Sequence, residues 1–143
     1  MAKFTDSLSL LLLRIPLGII FLAHGSQKLF GLFGGHGVAG TIGDFQQMGI
    51  PPILTILVII AEFGGGLGIL CGFLTRLSAI AIAINMLGAV VMVHLANGFF
   101  LNWYCVAGKG HGLEYNLALL GIATYLAVQG AGSFSVDRFL KKG

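Results

Sequence analysis

Four long apolar runs occupy most of the 143-residue chain and constrain its fold more than any other feature. Each approaches or exceeds the roughly 20 residues that an α-helix needs to cross the hydrocarbon of a bilayer. They cover about residues 8–33, 52–74, 77–96 and 113–131. Charged residues make up only 9% of the chain, whereas about 25% is usual for a soluble domain. We therefore predict an all-α fold, in which residues 1–143 form one polytopic membrane domain built as a four-helix bundle.

The positions of the basic residues predict how this bundle is oriented. They lie at the amino end, in the tight second connection and in the tail 132–143: Lys3, Arg76, Arg138, Lys141 and Lys142. Four crossings place these segments on one side of the membrane, and the positive-inside rule makes that side cytoplasmic. The first run is too long for the apolar region of a signal peptide, so we expect a retained helix. The predicted location is the plasma (inner) membrane of a bacterium or archaeon.

The first connection between runs combines glycines with a short amphipathic pattern. Within residues 38–48, apolar side chains recur mostly every three or four positions, at Val38, Ile42, Phe45 and Met48. This spacing indicates a short helix lying in the outer membrane interface. The second membrane helix is expected to begin at Pro52, because proline fits the first turn of a helix.

Five polar residues interrupt the apolar runs: Arg14, His24, Glu62, Asn85 and His94. A charged side chain inside the bilayer costs at least about 2.5–3.5 kcal/mol, so each needs a partner or a ligand. Arg14, Glu62 and Asn85 fall at compatible depths, and we predict that they form a buried polar clamp around an ion pair between Arg14 and Glu62. The alternative is that Glu62 carries a proton or anchors a ligand.

A second polar set is predicted near the opposite membrane surface and is the candidate ligand and proton site. It comprises His24, Lys28, His94 and Glu114. Histidine titrates near neutrality, and a nearby carboxylate can share its proton. On a straight helix Asn85 and His94 would point to opposite sides, so one faces away or the helix ends before His94.

Other kinds of site receive little support from the sequence. The histidines lack metal-ligand spacing and neither cysteine belongs to a C-x-x-C motif, so no metal site is predicted. Cys71 and Cys105 are expected at opposite membrane faces, which excludes a disulfide between them and leaves Cys105 as an unpaired thiol of unassigned role. No nucleotide-binding fold or nucleic-acid partner is expected, and no catalytic residue is assigned.

Several ordered motifs resemble those of the DoxX family of small four-helix membrane proteins. They are R-I-P-L-G at 14–18, H-G-S-Q-K-L-F-G at 24–31, M-G-I-P-P at 48–52, G-F-L-T-R at 72–76 and G-L-E-Y-N-L at 112–117. The resemblance covers nearly the whole chain and also implies four membrane helices. Similar proteins include a subunit linked to thiosulfate:quinone oxidoreductase, and others associated with thiol, quinone or catechol stress. Arg14, Lys28 and Glu114 lie in these motifs, and Glu62, with the glycines that follow it, also matches the family pattern.

These observations lead to one main functional hypothesis and two alternatives. The first is a quinone-linked redox subunit in sulfur, thiol or quinone metabolism, which binds a quinone and receives electrons through a soluble or membrane oxidoreductase partner. No intrinsic flavin, haem or iron–sulfur site is evident in the sequence. The alternatives are a non-enzymatic membrane scaffold for a soluble redox enzyme, and a small proton-coupled transporter that uses Glu62 and assembles as a homo-oligomer.

Overall fold

The computed structural model describes the backbone of residues 2–141 and the side chains from Asp6 to Lys141. Residues 2–141 contain helices and no strand, which confirms the all-α prediction. The six α-helices are α1 (Ala2–Phe30), α2 (Gly37–Gln47), α3 (Pro52–Cys71), α4 (Thr75–Ala89), α5 (Glu114–Gln129) and α6 (Val136–Leu140). Short 3₁₀ turns lie at Leu32–Gly34 and Leu95–Asn97, and α4 continues into a π-helical segment, Val90–His94.

Within the described residues, three helical stretches are long and apolar enough to cross a membrane: Asp6–Phe30, Pro52–Cys71 and Thr75–Asn97. These match three of the four predicted runs. The last run corresponds to α5, whose 16 residues span about 24 Å at 1.5 Å per residue, less than a typical hydrocarbon core of about 30 Å. Large apolar side chains such as Leu12, Ile60 and Ile84 are exposed on these helices. Such surfaces suit contact with lipid.

The four long helices pack in the order in which they occur along the chain: α1 against α3, α3 against α4, and α4 against α5. The core between them includes Leu17, Phe21, Ile69, Ile82 and Leu126, each almost fully buried. Glycines allow α1 and α3 to approach closely. A side chain added at Gly25 would collide with the backbone of Phe63, and one added at Gly66 would collide with the backbone of Leu22. Small residues at helix contacts are the usual basis of close packing in membranes.

The first connection contains the predicted short helix, which is α2. Its buried residue is Thr41, whose hydroxyl donates a 3.5 Å hydrogen bond to the carbonyl of Lys28 at the end of α1. This contact joins α2 to α1. Pro52 begins α3, as predicted from the tolerance of a first helical turn for proline.

The C-terminal segment, residues 130–141, folds back onto the turn between α3 and α4. Both carboxylate oxygens of Asp137 accept hydrogen bonds, from the backbone N–H of Leu74 at 2.8 Å and of Thr75 at 3.0 Å. Partial burial raises the pKa of Asp137, but these hydrogen bonds and the positive charge of Lys141 outweigh it, so the pKa lies below its ordinary value. The carboxylate therefore acts as an anionic cap on the first turn of α4. Two residues of the predicted tail, Lys142 and Gly143, and the side chain of Lys3 lie outside what the structure describes.

Candidate functional site

Three polar side chains from three different helices meet inside the bundle. Lys28 of α1 donates from Nζ to Glu62 Oε2 at 2.6 Å, and Asn85 of α4 donates from Nδ2 to Glu62 Oε1 at 3.0 Å. The side chain of Glu62 is 7% exposed and that of Lys28 is 20% exposed. Both oxygens of a carboxylate inside a membrane-spanning helix are thus bonded by donors. We refer to Lys28, Glu62 and Asn85 as the lysine–glutamate cluster.

Local packing explains why these three residues meet. The close approach of α1 and α3 around Gly25 and Phe63 brings Lys28, one turn beyond Gly25, level with Glu62. The tight turn between α3 and α4 makes an antiparallel hairpin, in which positions 65 and 82 are in contact. Glu62 and Asn85 are each three residues further from the turn, so they lie at the same height in the hairpin and contact each other.

The predicted ion pair between Arg14 and Glu62 is wrong. The Arg14 side chain is buried, and its nitrogens donate to backbone carbonyls at distances of 2.7–3.0 Å: Ile69, Leu70, Ala131 and Phe134. Ile69 and Leu70 lie about two turns of α3 beyond Glu62, out of reach of an interaction with that carboxylate. The depth estimate failed because α1 and α3 are offset along their axes. Lys28, predicted at the membrane edge, therefore takes the place assigned to Arg14.

The four residues of the predicted ligand and proton site are also divided between separate environments. Lys28 belongs to the lysine–glutamate cluster, and His24 is exposed, with no hydrogen bond among the described side chains. His94 donates from Nδ1 to the carbonyl of His111 at 2.8 Å. Glu114 Oε1 accepts from the backbone N–H of Leu101 at 2.8 Å and from Trp103 Nε1 at 3.1 Å. His94 and Glu114 therefore hold the connection between α4 and α5.

The end of α4 explains the position of His94. The α-helix stops at Ala89, and residues Val90–His94 form a π-helical segment. The helical stretch itself continues to Asn97, so the prediction that the helix ends before His94 is not met; its winding changes at Val90 instead. The change in winding turns His94 toward the loop that follows, whereas Asn85, still in α4, faces Glu62.

A cavity of about 240 Å³ lies beside the lysine–glutamate cluster, between the end of α1 and α2. Its lining includes Gln27, Lys28, Gly35, His36, Thr41 and Asp44. His36 and Asp44 form a pair in this lining, with Nδ1 and Oδ2 2.6 Å apart. Lys28 thus connects the buried Glu62 to a cavity large enough for a small polar headgroup. The sequence placed Lys28 near one membrane surface but gave no signal for a cavity shared with α2.

The described residues contain no group of three or more histidine, cysteine, aspartate or glutamate side chains that is suited to hold a metal ion. Cys71 and Cys105 are both exposed and free. Cys71 ends α3, while Cys105 lies in the connection between α4 and α5.

Comparison with known proteins places this arrangement in a family. The family model for DoxX matches residues 9–95, more than half of the chain. The chain belongs to the DoxX family. Among DoxX-type relatives, the inner membrane protein YqjF of Escherichia coli is 34% identical, with the alignment covering 98% of each chain. CatD of Bacillus subtilis, which is named as a proposed oxidoreductase, is 31% identical over 93% of this chain and 87% of its own.

A further relative, the membrane protein Rv3486 of Mycobacterium tuberculosis, is 32% identical over 94% of this chain and 82% of its own. No solved structure is significantly similar to this chain. The chain is thus a multi-pass inner-membrane protein of the DoxX type.

The residues matched by the DoxX model include the lysine–glutamate cluster but not Glu114. Residues 9–95 include Arg14 and the whole lysine–glutamate cluster, and they stop just after His94. Glu114 and the C-terminal segment lie beyond the matched residues. The lysine–glutamate cluster and the cavity between α1 and α2 therefore both lie wholly inside the matched residues.

Proposed function

We propose that this DoxX protein is the membrane subunit of a quinone-dependent oxidoreductase and that a quinone headgroup binds beside the lysine–glutamate cluster. The observation that carries the proposal is the position of Lys28, a cationic donor that contacts the buried Glu62 and also lines the α1–α2 cavity. Ionisable groups kept inside a membrane domain commonly serve ligands or protons. The name of the relative CatD as a proposed oxidoreductase adds support from the family.

The chemistry follows from the groups at the cavity. Reduction of a quinone to a quinol takes two electrons and two protons. In the proposal, Lys28 donates a hydrogen bond to one quinone carbonyl and passes a proton to it as the ring is reduced. A partner oxidoreductase delivers two electrons from a thiol substrate, because oxidation of two thiols to a disulfide releases two electrons and two protons. One of these protons restores Lys28, and the other completes the quinol.

The quinone proposal is tested by its expected dependence on Lys28. Purified protein in mild detergent is titrated with a short-chain quinone, and quinone that copurifies is extracted and identified by mass spectrometry. Lys28→Met is expected to weaken quinone binding at least about tenfold, the effect of losing one hydrogen bond to a charged donor. His24→Ala is expected to retain binding, because His24 does not line the cavity.

Lys109→Met is the matched control for charge, because Lys109 lies in the loop between α4 and α5. Gel filtration of each variant separates lost binding from lost folding. Equal quinone binding by the unmodified protein and by a well-folded Lys28→Met variant would overturn the proposal, as would the absence of bound quinone in every sample. A scaffold function would then become the working hypothesis.

We also propose that α5 crosses the membrane as a fourth helix and that both termini are cytoplasmic. The support is the gathering of Arg76, Arg138 and Lys141 around one cavity at the end of the bundle opposite Lys28. A reporter enzyme active only in the cytoplasm is expected to be active when fused after Gly143 and inactive when fused at Gly108. The reverse pattern, or equal activity at both sites, would contradict this topology.

A further inference from the structure

A second cavity, of about 490 Å³, lies at the end of the bundle opposite the lysine–glutamate cluster. It is formed by the turn between α3 and α4, the end of α5 and the C-terminal segment. Three cationic side chains line it: Arg76, Arg138 and Lys141. Among the described residues, none of the three forms a side-chain hydrogen bond or a close ion pair, although the charge of Lys141 contributes to lowering the pKa of Asp137. We call this the basic cavity.

The carboxylate of Asp137, which also lines the basic cavity, offsets only one of its three positive charges. Both of its oxygens are bonded to the backbone N–H groups of Leu74 and Thr75. One carboxylate therefore faces three cations. Arg76 lies over the end of α5, where a side chain added at Gly130 would meet Arg76 Nε at 3.3 Å. Arg76 belongs to α4, Arg138 to α6, and Lys141 follows α6, and all three line the same cavity.

The surroundings of the basic cavity identify the kind of anion that suits it. Leu74 and Leu77, which also line it, are 52% and 62% exposed; Leu74 precedes α4 and Leu77 lies in its first turn, at the end of a helix long and apolar enough to cross a membrane. Phe139, which follows the cavity residue Arg138 in α6, is 79% exposed. An anion that brings its own apolar chains satisfies both the cations and these apolar side chains. Basic pockets at the ends of membrane helices recognise phospholipid headgroups in this way.

We propose that the basic cavity binds the phosphate headgroup of an anionic phospholipid, with the acyl chains lying along Leu74 and Leu77. Phosphatidylglycerol suits the cavity because its phosphate carries a charge that no ammonium group of its own balances. A zwitterionic lipid such as phosphatidylcholine presents its own cation to Arg76, Arg138 and Lys141. This proposal is independent of the quinone proposal, since the two cavities share no lining residue.

Native mass spectrometry of the full-length protein in a neutral detergent tests the proposal. Short-chain phosphatidylglycerol, short-chain phosphatidylcholine and sodium phosphate are each titrated at matched concentrations. Phosphatidylglycerol is expected to bind at least about tenfold more tightly than phosphatidylcholine. Each of Arg76→Gln, Arg138→Gln and Lys141→Gln is expected to weaken phosphatidylglycerol binding about fivefold, the usual contribution of one basic residue near anionic lipid.

Lys109→Gln is the control, because it removes one positive charge from the loop between α4 and α5 and should leave lipid binding unchanged. The three cavity cations are exposed, so their substitution is not expected to disturb folding. The proposal would be overturned if the protein showed no preference for phosphatidylglycerol. It would also be overturned if a variant that combines Arg76→Gln, Arg138→Gln and Lys141→Gln bound this lipid as tightly as the unmodified protein. If sodium phosphate displaces the lipid at equal concentration, the site recognises free phosphate, and the lipid assignment is wrong.

Discussion

Arg14→Met is expected to lower the free energy of unfolding by about 3–5 kcal/mol, because it removes four hydrogen bonds between a charged donor and backbone carbonyls. Each such bond contributes about 1.5–3 kcal/mol, and the total is smaller than the sum because water can reach the freed carbonyls. Two of the acceptors are last-turn carbonyls of α3, where a cation also interacts favourably with the helix dipole. The other two, Ala131 and Phe134, belong to the C-terminal segment.

Two measurements distinguish this role of Arg14 from a general loss of folding. Unfolding titrations with sodium dodecyl sulfate give the change in free energy, and the rate of chymotrypsin cleavage at Phe139 reports release of the C-terminal segment. Arg14→Lys is expected to be intermediate, since one ammonium group cannot reproduce the planar fork of donors. Arg138→Met, which removes an exposed arginine, is the control. Stability and cleavage unchanged in Arg14→Met would show that the four contacts contribute little.

The second large effect concerns the lysine–glutamate cluster, where removal of one charged partner is expected to cost more than removal of both. Lys28→Met leaves Glu62 without its cation in a buried position and should destabilise the protein by about 3–5 kcal/mol. Glu62→Gln leaves Lys28 unpaired at 20% side-chain exposure, so its cost should be smaller. The double variant, with a methionine beside a glutamine, should be more stable than Lys28→Met.

A double-mutant cycle measures this coupling directly. The expected coupling energy between Lys28 and Glu62 is at least about 2 kcal/mol, near the upper part of the range for residues in contact. Arg14→Met combined with Glu62→Gln is the matched control, because Arg14 and Glu62 share no partner and their effects should add. Additive effects of Lys28→Met and Glu62→Gln would mean that the 2.6 Å contact contributes little to stability.

The elements with the strongest local signals could be predicted from the sequence. Apolar runs indicated α1, α3 and α4 because a membrane helix needs about 20 apolar residues, and Pro52 marked the start of α3. The spacing at 38–48 indicated α2. The end of α4 at Ala89 could not be predicted from the sequence, because the residues of the π-helical segment are as apolar as those before it. Periodicity cannot detect a change of winding inside an apolar run.

The polar residues of the site were found from the sequence, but most of their partners were not. Burial of a charge in an apolar run identifies Arg14 and Glu62 as residues that need partners. Which partner each one takes depends on how far α1 slides along α3, and this offset is set by the close contacts at Gly25 and Gly66. The groups that bind Arg14 are backbone carbonyls, which cannot be identified from the types of side chain in the sequence. A backbone acceptor is available at every residue, so the sequence favoured a carboxylate instead.

The contacts of Arg14 also have a consequence for synthesis of the chain. The helix that carries this arginine is made before the C-terminal segment, and its acceptor at Ala131 lies 117 residues further along the chain. Until residues 131–134 have been synthesised, the Arg14 guanidinium lacks two of its four carbonyl acceptors. In a nascent or truncated chain without these residues, Arg14 therefore lacks two of its hydrogen-bond acceptors. The C-terminal segment thus completes the hydrogen bonding of a side chain on α1, more than a hundred residues away in the sequence.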